Sequence, residues 1–126
     1  MAAAVVWEGA RLLMTQRAPG GALGLQWEFP GGKIESAETP EQAIVREVRE
    51  ELGVLATPHE RLHSLTHDYP HGTRVEIVFV RCSLDSHEFT LGEEVRDARW
   101  QPPAEIDLAG VLEADRGFLR SLGARG

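Results

Sequence analysis

The stretch GGKIESAETPEQAIVREVREELGV, residues 31 to 54, constrains this chain more than any other. Thr39 stands where a helix N-cap belongs, Pro40 takes the first helical position, where a missing N–H costs nothing, and Gln42 completes a Thr-x-x-Gln capping box. Gly53 follows the last periodic apolar residue and reads as the C-terminal stop. A helix from Pro40 to Leu52 is therefore expected.

At about 100° per residue, three faces separate on that helix. Ile44, Val45, Val48 and Leu52 share one arc and demand a core. Glu47, Glu50 and Glu51 share a second, while Gln42, Arg46 and Arg49 lie on the far side, with Arg46 one turn before Glu50 and able to pair with it. Carboxylates spaced i, i+3 and i+4 repel one another. A cation is expected among them, and hard oxygen donors favour Mg²⁺ or Mn²⁺ over zinc. For the acids alone, a solvated face balanced by arginines is the commoner explanation. The preceding loop changes the balance, because Gly31 and Gly32 let bare main chain approach a ligand and free carbonyls there can join a metal site.

Gly32, Glu38, Arg46, Glu47, Val48, Glu50, Glu51, Gly53 and Val54 match every defined position of the Nudix box, Gly-x5-Glu-x7-Arg-Glu-(apolar)-x-Glu-Glu-x-Gly-(apolar). The chain thus resembles the Nudix hydrolases. The flanking WEFPGGKIE and ETPEQAIVRE look most like the MutT subgroup, the nucleoside triphosphate pyrophosphohydrolases that sanitise the nucleotide pool. This resemblance implies an α/β/α sandwich with a central mixed β-sheet, in a single domain over residues 1–126 with the box at 32–54. It also implies Mg²⁺, with Mn²⁺ as a substitute, held by Glu47, Glu50, Glu51, Glu94 and a carbonyl of Gly31 or Gly32, bridging phosphates and lowering the pKa of an attacking water. Attack at the β-phosphorus leaves Glu51, Glu50 and Glu94 as contenders for general base, with Arg46 orienting the glutamates. Arg17, Lys33, Phe29 and Asp115 are the implied substrate-binding residues.

The rest of the chain is consistent with that expectation. Its 126 residues suit one domain, and no long apolar run or signal-peptide pattern interrupts a composition that is 42% hydrophobic. Cys82 is the single cysteine, which fits a reducing, cytoplasmic residence. A net charge of −7 disfavours a nucleic-acid polymer as partner, whereas a triphosphate is acceptable where divalent cations bridge the two sets of negative charge. No membrane partner is expected, and monomer and dimer are both open.

Residues 2 to 7 and 11 to 16, around Glu8-Gly9-Ala10, read as a strand hairpin. Members of the resembling family carry several more residues before this strand, so a start upstream of Met1 is one alternative. Arg17 ends the second strand at the place where MutT relatives use an arginine on substrate phosphates, a task that suits a forked guanidinium. Residues 18 to 26 form a glycine-rich loop of the kind that closes over a ligand, and WEFP a short strand with Trp27 and Phe29 on one side. Lys33 either meets phosphate or is solvated.

Residues 62 to 69 and 74 to 82 read as two strands joined by Pro70-His71-Gly72, with Glu76 facing either outward or into a pocket. His63, His67 and His71 invite a zinc reading, but on a strand their spacing spreads them apart and no second ligand cluster accompanies them. LGEEVRDARW, residues 91 to 100, leads into a last strand, and Glu94 holds the place of a loop glutamate that reaches the metal in MutT relatives, with Glu93 its rival. Beyond Pro102-Pro103, residues 111 to 122 suggest a closing helix that Gly117 weakens.

Asp115 matches the residue that in MutT is an asparagine reading the oxidised guanine. Ionised aspartate offers only acceptors, which favours a base presenting amino or imino donors: cytosine, 5-methylcytosine, 2-hydroxyadenine, or 8-oxoguanine read on a different edge. A helix N-terminal cap or a solvated acid is the competing role. The expected activity is hydrolysis of a normal or oxidised nucleoside triphosphate to monophosphate and pyrophosphate. ADP-ribose, dinucleoside polyphosphates and NADH are the alternative substrates, disfavoured by the short chain, and a binding-only regulator is disfavoured because no box acid is lost. A decapping or DNA-recognition role lacks the basic, aromatic surface tract it needs.

Overall fold

The computed structural model describes residues 1–125; Gly126, the last residue of the expected domain, lies outside the described residues. In chain order the elements are β1 (Ala2–Val5), β2 (Trp7–Glu8), β3 (Arg11–Arg17), β4 (Trp27–Glu28), β5 (Gly31–Gly32), α1 (Pro40–Leu52), β6 (Ala56–Asp68), β7 (Arg74–Leu84), β8 (Val95–Gln101) and α2 (Glu113–Ser121). One sheet has the order β5-β1-β7-β6 and is mixed, because β1 runs parallel to β7 and antiparallel to β5. In the second sheet β3 pairs antiparallel with β2, β4 and β8.

The expected hairpin of residues 2–7 with 11–16 is only partly present. Trp7–Glu8 turns back on β3, but Ala2–Val5 leaves to pair with β5 and β7. Burial explains the departure. Ala2, Ala3, Ala4 and Val5 are all buried, with alternate residues entering two different apolar layers, and a strand covered on both faces belongs in the middle of a sheet.

Those two layers make the α/β/α sandwich. Ala2, Ala4, Leu13, Val80 and Cys82 pack with Ala43, Ile44, Val48 and Leu52 of α1. Ala3, Val5, Leu12, Met14, Ile77 and Phe79 pack on the other side with Ala114, Phe118 and Leu119 of α2. Val45, expected in the buried stripe of α1, is half-buried, and Ala43 takes its place inside. Burying each large apolar side chain in these layers contributes roughly 1.5–3 kcal/mol.

The start of α1 is as expected. The Thr39 hydroxyl accepts from the Gln42 N–H at 3.1 Å, the Gln42 side chain accepts from the Thr39 N–H at 2.9 Å, and Gly53 ends the helix at φ 68°. The strands after it are longer than expected, since β6 and β7 extend to residues 56–68 and 74–84. The closing helix is shorter, because two single turns of 3₁₀ helix, Pro103–Glu105 and Leu108–Gly110, precede it, and the Leu112 N–H is tied to the Trp27 carbonyl at 3.0 Å. Among the described residues no helix is long and apolar enough to cross a membrane.

Candidate active site

Two glycines bring α1 down onto the main chain. Gly31 pairs with Ala3 at φ +145°, and a Cβ there would stand 2.1 Å from the Ala2 carbonyl oxygen. A Cβ on Gly32 would stand 2.6 Å from the carboxyl carbon of Glu47, so only bare backbone admits that side chain. On the next turn of the helix, Glu51 Oε1 accepts from the Gly31 N–H at 3.1 Å.

Arg46 organises the acids around it. Its Nε and Nη2 donate to the two oxygens of Glu38 at 2.9 Å each, Nη2 also to the Lys33 carbonyl at 2.9 Å, and Nη1 to Glu47 Oε1 at 2.7 Å. The arginine holds the Glu38 carboxyl down at about 2, helped by the Glu35 N–H. These bonds tie the loop before the helix, through Glu38 and the Lys33 carbonyl, to Glu47 on α1. Glu50 stands apart from its expected place among the metal ligands: its carboxylate is 62% exposed, 3.8 Å from Arg46, and outside the lining of the cleft described next. Its ion-pair partner one helical turn away, Arg46 Nη1, is the same nitrogen that bonds Glu47.

An open cleft of about 700 Å³ lies in front of the glycines, lined by Glu47, Glu51, Glu93, Glu94, Arg17 and Lys33 among others. A smaller pocket of about 150 Å³ adjoins it, walled by Ala2, Ala3, Phe29, Tyr69, Ile77 and Leu112, with Asp115 in the wall. Arg17, Glu28, Gly31 and Gly32 line both. Arg17 reaches this junction because it lies two residues along β3 from Thr15, the partner of Glu28, and so shares the face on which Glu28 enters the cleft; beside it β8 carries the extra residue Arg96, since Gln16 pairs with Asp97 and Arg17 with Val95. Glu94 is placed by the same neighbourhood, its carbonyl accepting from the Ala18 N–H at 2.9 Å. Of the expected substrate residues, Phe29 is 2% exposed and forms pocket wall, while Lys33 is exposed at the cleft edge.

Glu28 is a site residue that the sequence reading passed over. Its carboxylate accepts from Arg17 Nη1 at 3.2 Å. The available signal was alternation along the strand: Trp27 and Phe29 enter the core side, so Glu28 faces the other way, into the cleft.

Burial pushes the Glu51 carboxyl up to about 9, against the pull of the Gly31 N–H, with Glu28, Glu47 and Glu94 adding repulsion. Burial likewise raises Glu28 to about 7 despite Arg17 and raises Glu47 despite Arg46. Asp115, buried and beside Glu28, stands at about 7 although its Oδ2 accepts from the Phe29 N–H at 3.2 Å. The cleft therefore crowds carboxyls that are uncomfortable as anions until positive charge joins them.

Among the described residues, no three His, Cys, Asp or Glu side chains stand close enough as placed to hold a metal ion. In kind, the donor set fits a hard divalent cation. Glu47, Glu51 and Glu94 offer oxygens to one cleft, their shared repulsion is what a cation relieves, and the Gly32 position leaves room that a Cβ would fill. The three histidines stay out of the acidic cleft: His63 stacks on Phe118, and His67 and His71 both meet the Tyr69 ring, His71 in the lining of the smaller pocket.

A capped helix carrying Arg46 and the glutamates over a glycine turn, packed on a mixed sheet, is the arrangement that the box sequence implies. The NUDIX domain model matches residues 1–122, and the chain belongs to this family of hydrolases, which use divalent metal. It is 41% identical over 115 residues to an 8-oxo-dGTP diphosphatase of Haemophilus influenzae, covering 91% of this chain and 83% of that one. To the 8-oxo-dGTP diphosphatase of Proteus vulgaris it is 46% identical over 59 residues, 47% of this chain and about half, 53%, of the relative's length. Among solved structures, the E. coli ORF135 protein superposes with a TM-score of 0.75 at 30% identity, over 94% of this chain and 84% of that one.

Proposed function

We propose that the chain, acting as a single domain, is a Mg²⁺-dependent pyrophosphohydrolase that cleaves a free nucleoside triphosphate, ordinary or oxidised, to the monophosphate and pyrophosphate. The observation that carries this reading is the junction of a base-sized apolar pocket with an acidic cleft that also holds Arg17 and Lys33. A base enters the first while its phosphates cross the second. The names of the Haemophilus and Proteus relatives point to the same substrate class.

Glu47, Glu51, Glu94 and a main-chain carbonyl of Gly31 or Gly32 would hold the cation, with Glu50 joining only after leaving Arg46. Once bound, a divalent ion neutralises phosphate oxygens and acidifies water. Glu51, which would be ionised once the cation's charge is in the cleft, is the general base, taking a proton from the water that attacks the β-phosphorus, because among the three contenders it is the one shielded inside the cleft and fixed by a main-chain N–H. Arg46 holds Glu47 in place, and Arg17 meets the negative charge that shifts as the bond to the α-phosphate oxygen breaks.

Asp115 reads the base. With its carboxyl at about 7 it is a protonated acid below neutrality, offering one donor and one acceptor as asparagine does, and an acceptor-only anion above. The ionised form foreseen from sequence is thus half of its repertoire. A panel of ordinary and oxidised triphosphates, assayed for pyrophosphate at pH 6 and pH 8, tests both the function and this residue. In the wild-type chain, the preference between 8-oxoguanine and cytosine nucleotides shifts about ten-fold between the two pH values. Asp115→Asn locks the pH 6 ranking at both. A ranking in Asp115→Asn that still moves with pH as in wild type removes Asp115 from base reading.

A further inference from the structure

We propose that Glu28 is the positioning residue for Arg17, holding its guanidinium at the junction of pocket and cleft and handing it to a substrate phosphate on entry. This rests on the functional reading above, in which Arg17 meets phosphate.

The main chain around Arg17 is already pinned. Its N–H donates to the Gln26 carbonyl at 2.9 Å, its carbonyl accepts from the Leu25 N–H at 3.1 Å, and the following Ala18 N–H donates to the Glu94 carbonyl at 2.9 Å. What remains free is the side chain, three methylenes and a guanidinium that is 42% exposed. Left to itself such a chain samples many rotamers and loses that freedom only on binding. Glu28 removes most of the choice. Thr15 is paired with Glu28 across β3 and β4, which sets Glu28 diagonally from Arg17 on the same face, and Nη1 lies 3.2 and 3.5 Å from the two carboxylate oxygens. The partner is well chosen for a transfer. A carboxylate and a phosphate present similar acceptor oxygens to a guanidinium, so the arginine exchanges one for the other with little reorientation.

The position also has a cost that calls for a reason. Glu28 adds an acid to a cleft that already holds Glu47, Glu51, Glu94 and, on the pocket side, Asp115. Within this crowd the side chain that Glu28 bonds is the Arg17 guanidinium. If Glu28 served only stability, an apolar residue between the two cavities would avoid the repulsion.

A double-mutant cycle on the Mg²⁺-loaded full chain separates these roles. Glu28→Ala is expected to lower kcat/KM for the best triphosphate about ten-fold, and Glu28→Ala placed on Arg17→Ala to lower it less than about two-fold further, because the positioned group is already gone. Glu28→Gln, whose amide oxygen still accepts from the guanidinium, recovers most of the loss. Mn²⁺ affinity, read by electron paramagnetic resonance, stays within about two-fold of wild type in Glu28→Ala. Additive losses in the cycle, a Glu28→Gln variant as poor as Glu28→Ala, or Mn²⁺ binding weakened about ten-fold would each overturn the proposal, the last two in favour of a ligand or base. A wild-type chain that hydrolyses no triphosphate contradicts the functional reading instead. The same cycle is then read from affinity for Mg²⁺-tripolyphosphate, where coupling between the two residues supports the positioning role and additivity overturns it.

Discussion

Glu51→Gln leaves a folded protein whose divalent-dependent turnover falls by about 10²- to 10⁴-fold, the range spanned by loss of a general base. The same variant is more stable than wild type when cations are chelated. In the folded protein the Glu51 carboxyl keeps its proton up to about 9, whereas in the unfolded chain it ionises near the ordinary glutamate value of 4.5. Between those values the folded state binds a proton that the unfolded state has released, so stability falls as pH rises. Glu28 and Asp115, both raised to about 7, add to the same slope below neutrality. Wild type melted in a chelator is therefore expected to lose stability from pH 5 to pH 9, Glu51→Gln to lose less of it above pH 7, and added Mg²⁺ to restore wild type at pH 8. Identical pH profiles for the two proteins would mean that the buried carboxyl is not the source of the strain, and near-normal turnover in Glu51→Gln would remove it from the chemistry.

Gly31→Ala is the second large effect, and it acts on the fold. The residue sits at φ +145°, which a side chain rarely adopts, and the new methyl would meet the Ala2 carbonyl oxygen at 2.1 Å. Neither partner yields easily, because Ala2 and Ala3 belong to the buried central strand of the mixed sheet. Backbone strain and the clash together cost about 3 kcal/mol or more, roughly a 10 °C fall in Tm for a domain of this size. Gly117→Ala is the matched control. It lies inside α2 with nothing within 4 Å of the added carbon, so it is neutral or stabilising by about 0.5–1 kcal/mol. Calorimetry on both variants checks the contrast, and equal melting temperatures would show that the approach of β5 to β1 is looser than described.

The helix at the centre of the site was legible because its instructions are local. A capping box, a proline at the first turn and a C-terminal glycine act within a few residues, and all of them appear as read. The chain path of the first strand was not legible in the same way. Alternating apolar residues specify that a strand is buried on both faces, but they do not name its neighbours, and β1 pairs with β7 more than 70 residues away. Glu50 shows a related limit. Spacing put it on the acidic arc of α1, but spacing does not set a side chain's rotamer, and its carboxylate stands exposed outside the cleft lining. Glu28 was hidden because a lone glutamate in a short strand has no motif of its own. Its meaning comes from Arg17, which the pairing of Thr15 with Glu28 places diagonally across from it on the same face. The protonation of Asp115 depends on burial and on Glu28, 87 residues apart in sequence, which no local pattern encodes.

The central claim is that cations gathered by the α1 glutamates direct water to the middle phosphorus of a bound triphosphate. Phosphorus-31 NMR of a nucleoside triphosphate reacting in water enriched in oxygen-18, with Mg²⁺ and with chelator, follows both the phosphorus attacked and the need for the ion in one experiment. Monophosphate and pyrophosphate appearing together only with Mg²⁺, with the oxygen-18 in the pyrophosphate, is the predicted result. Oxygen-18 in the monophosphate, diphosphate with inorganic phosphate as products, or the same rate in chelator, would contradict it.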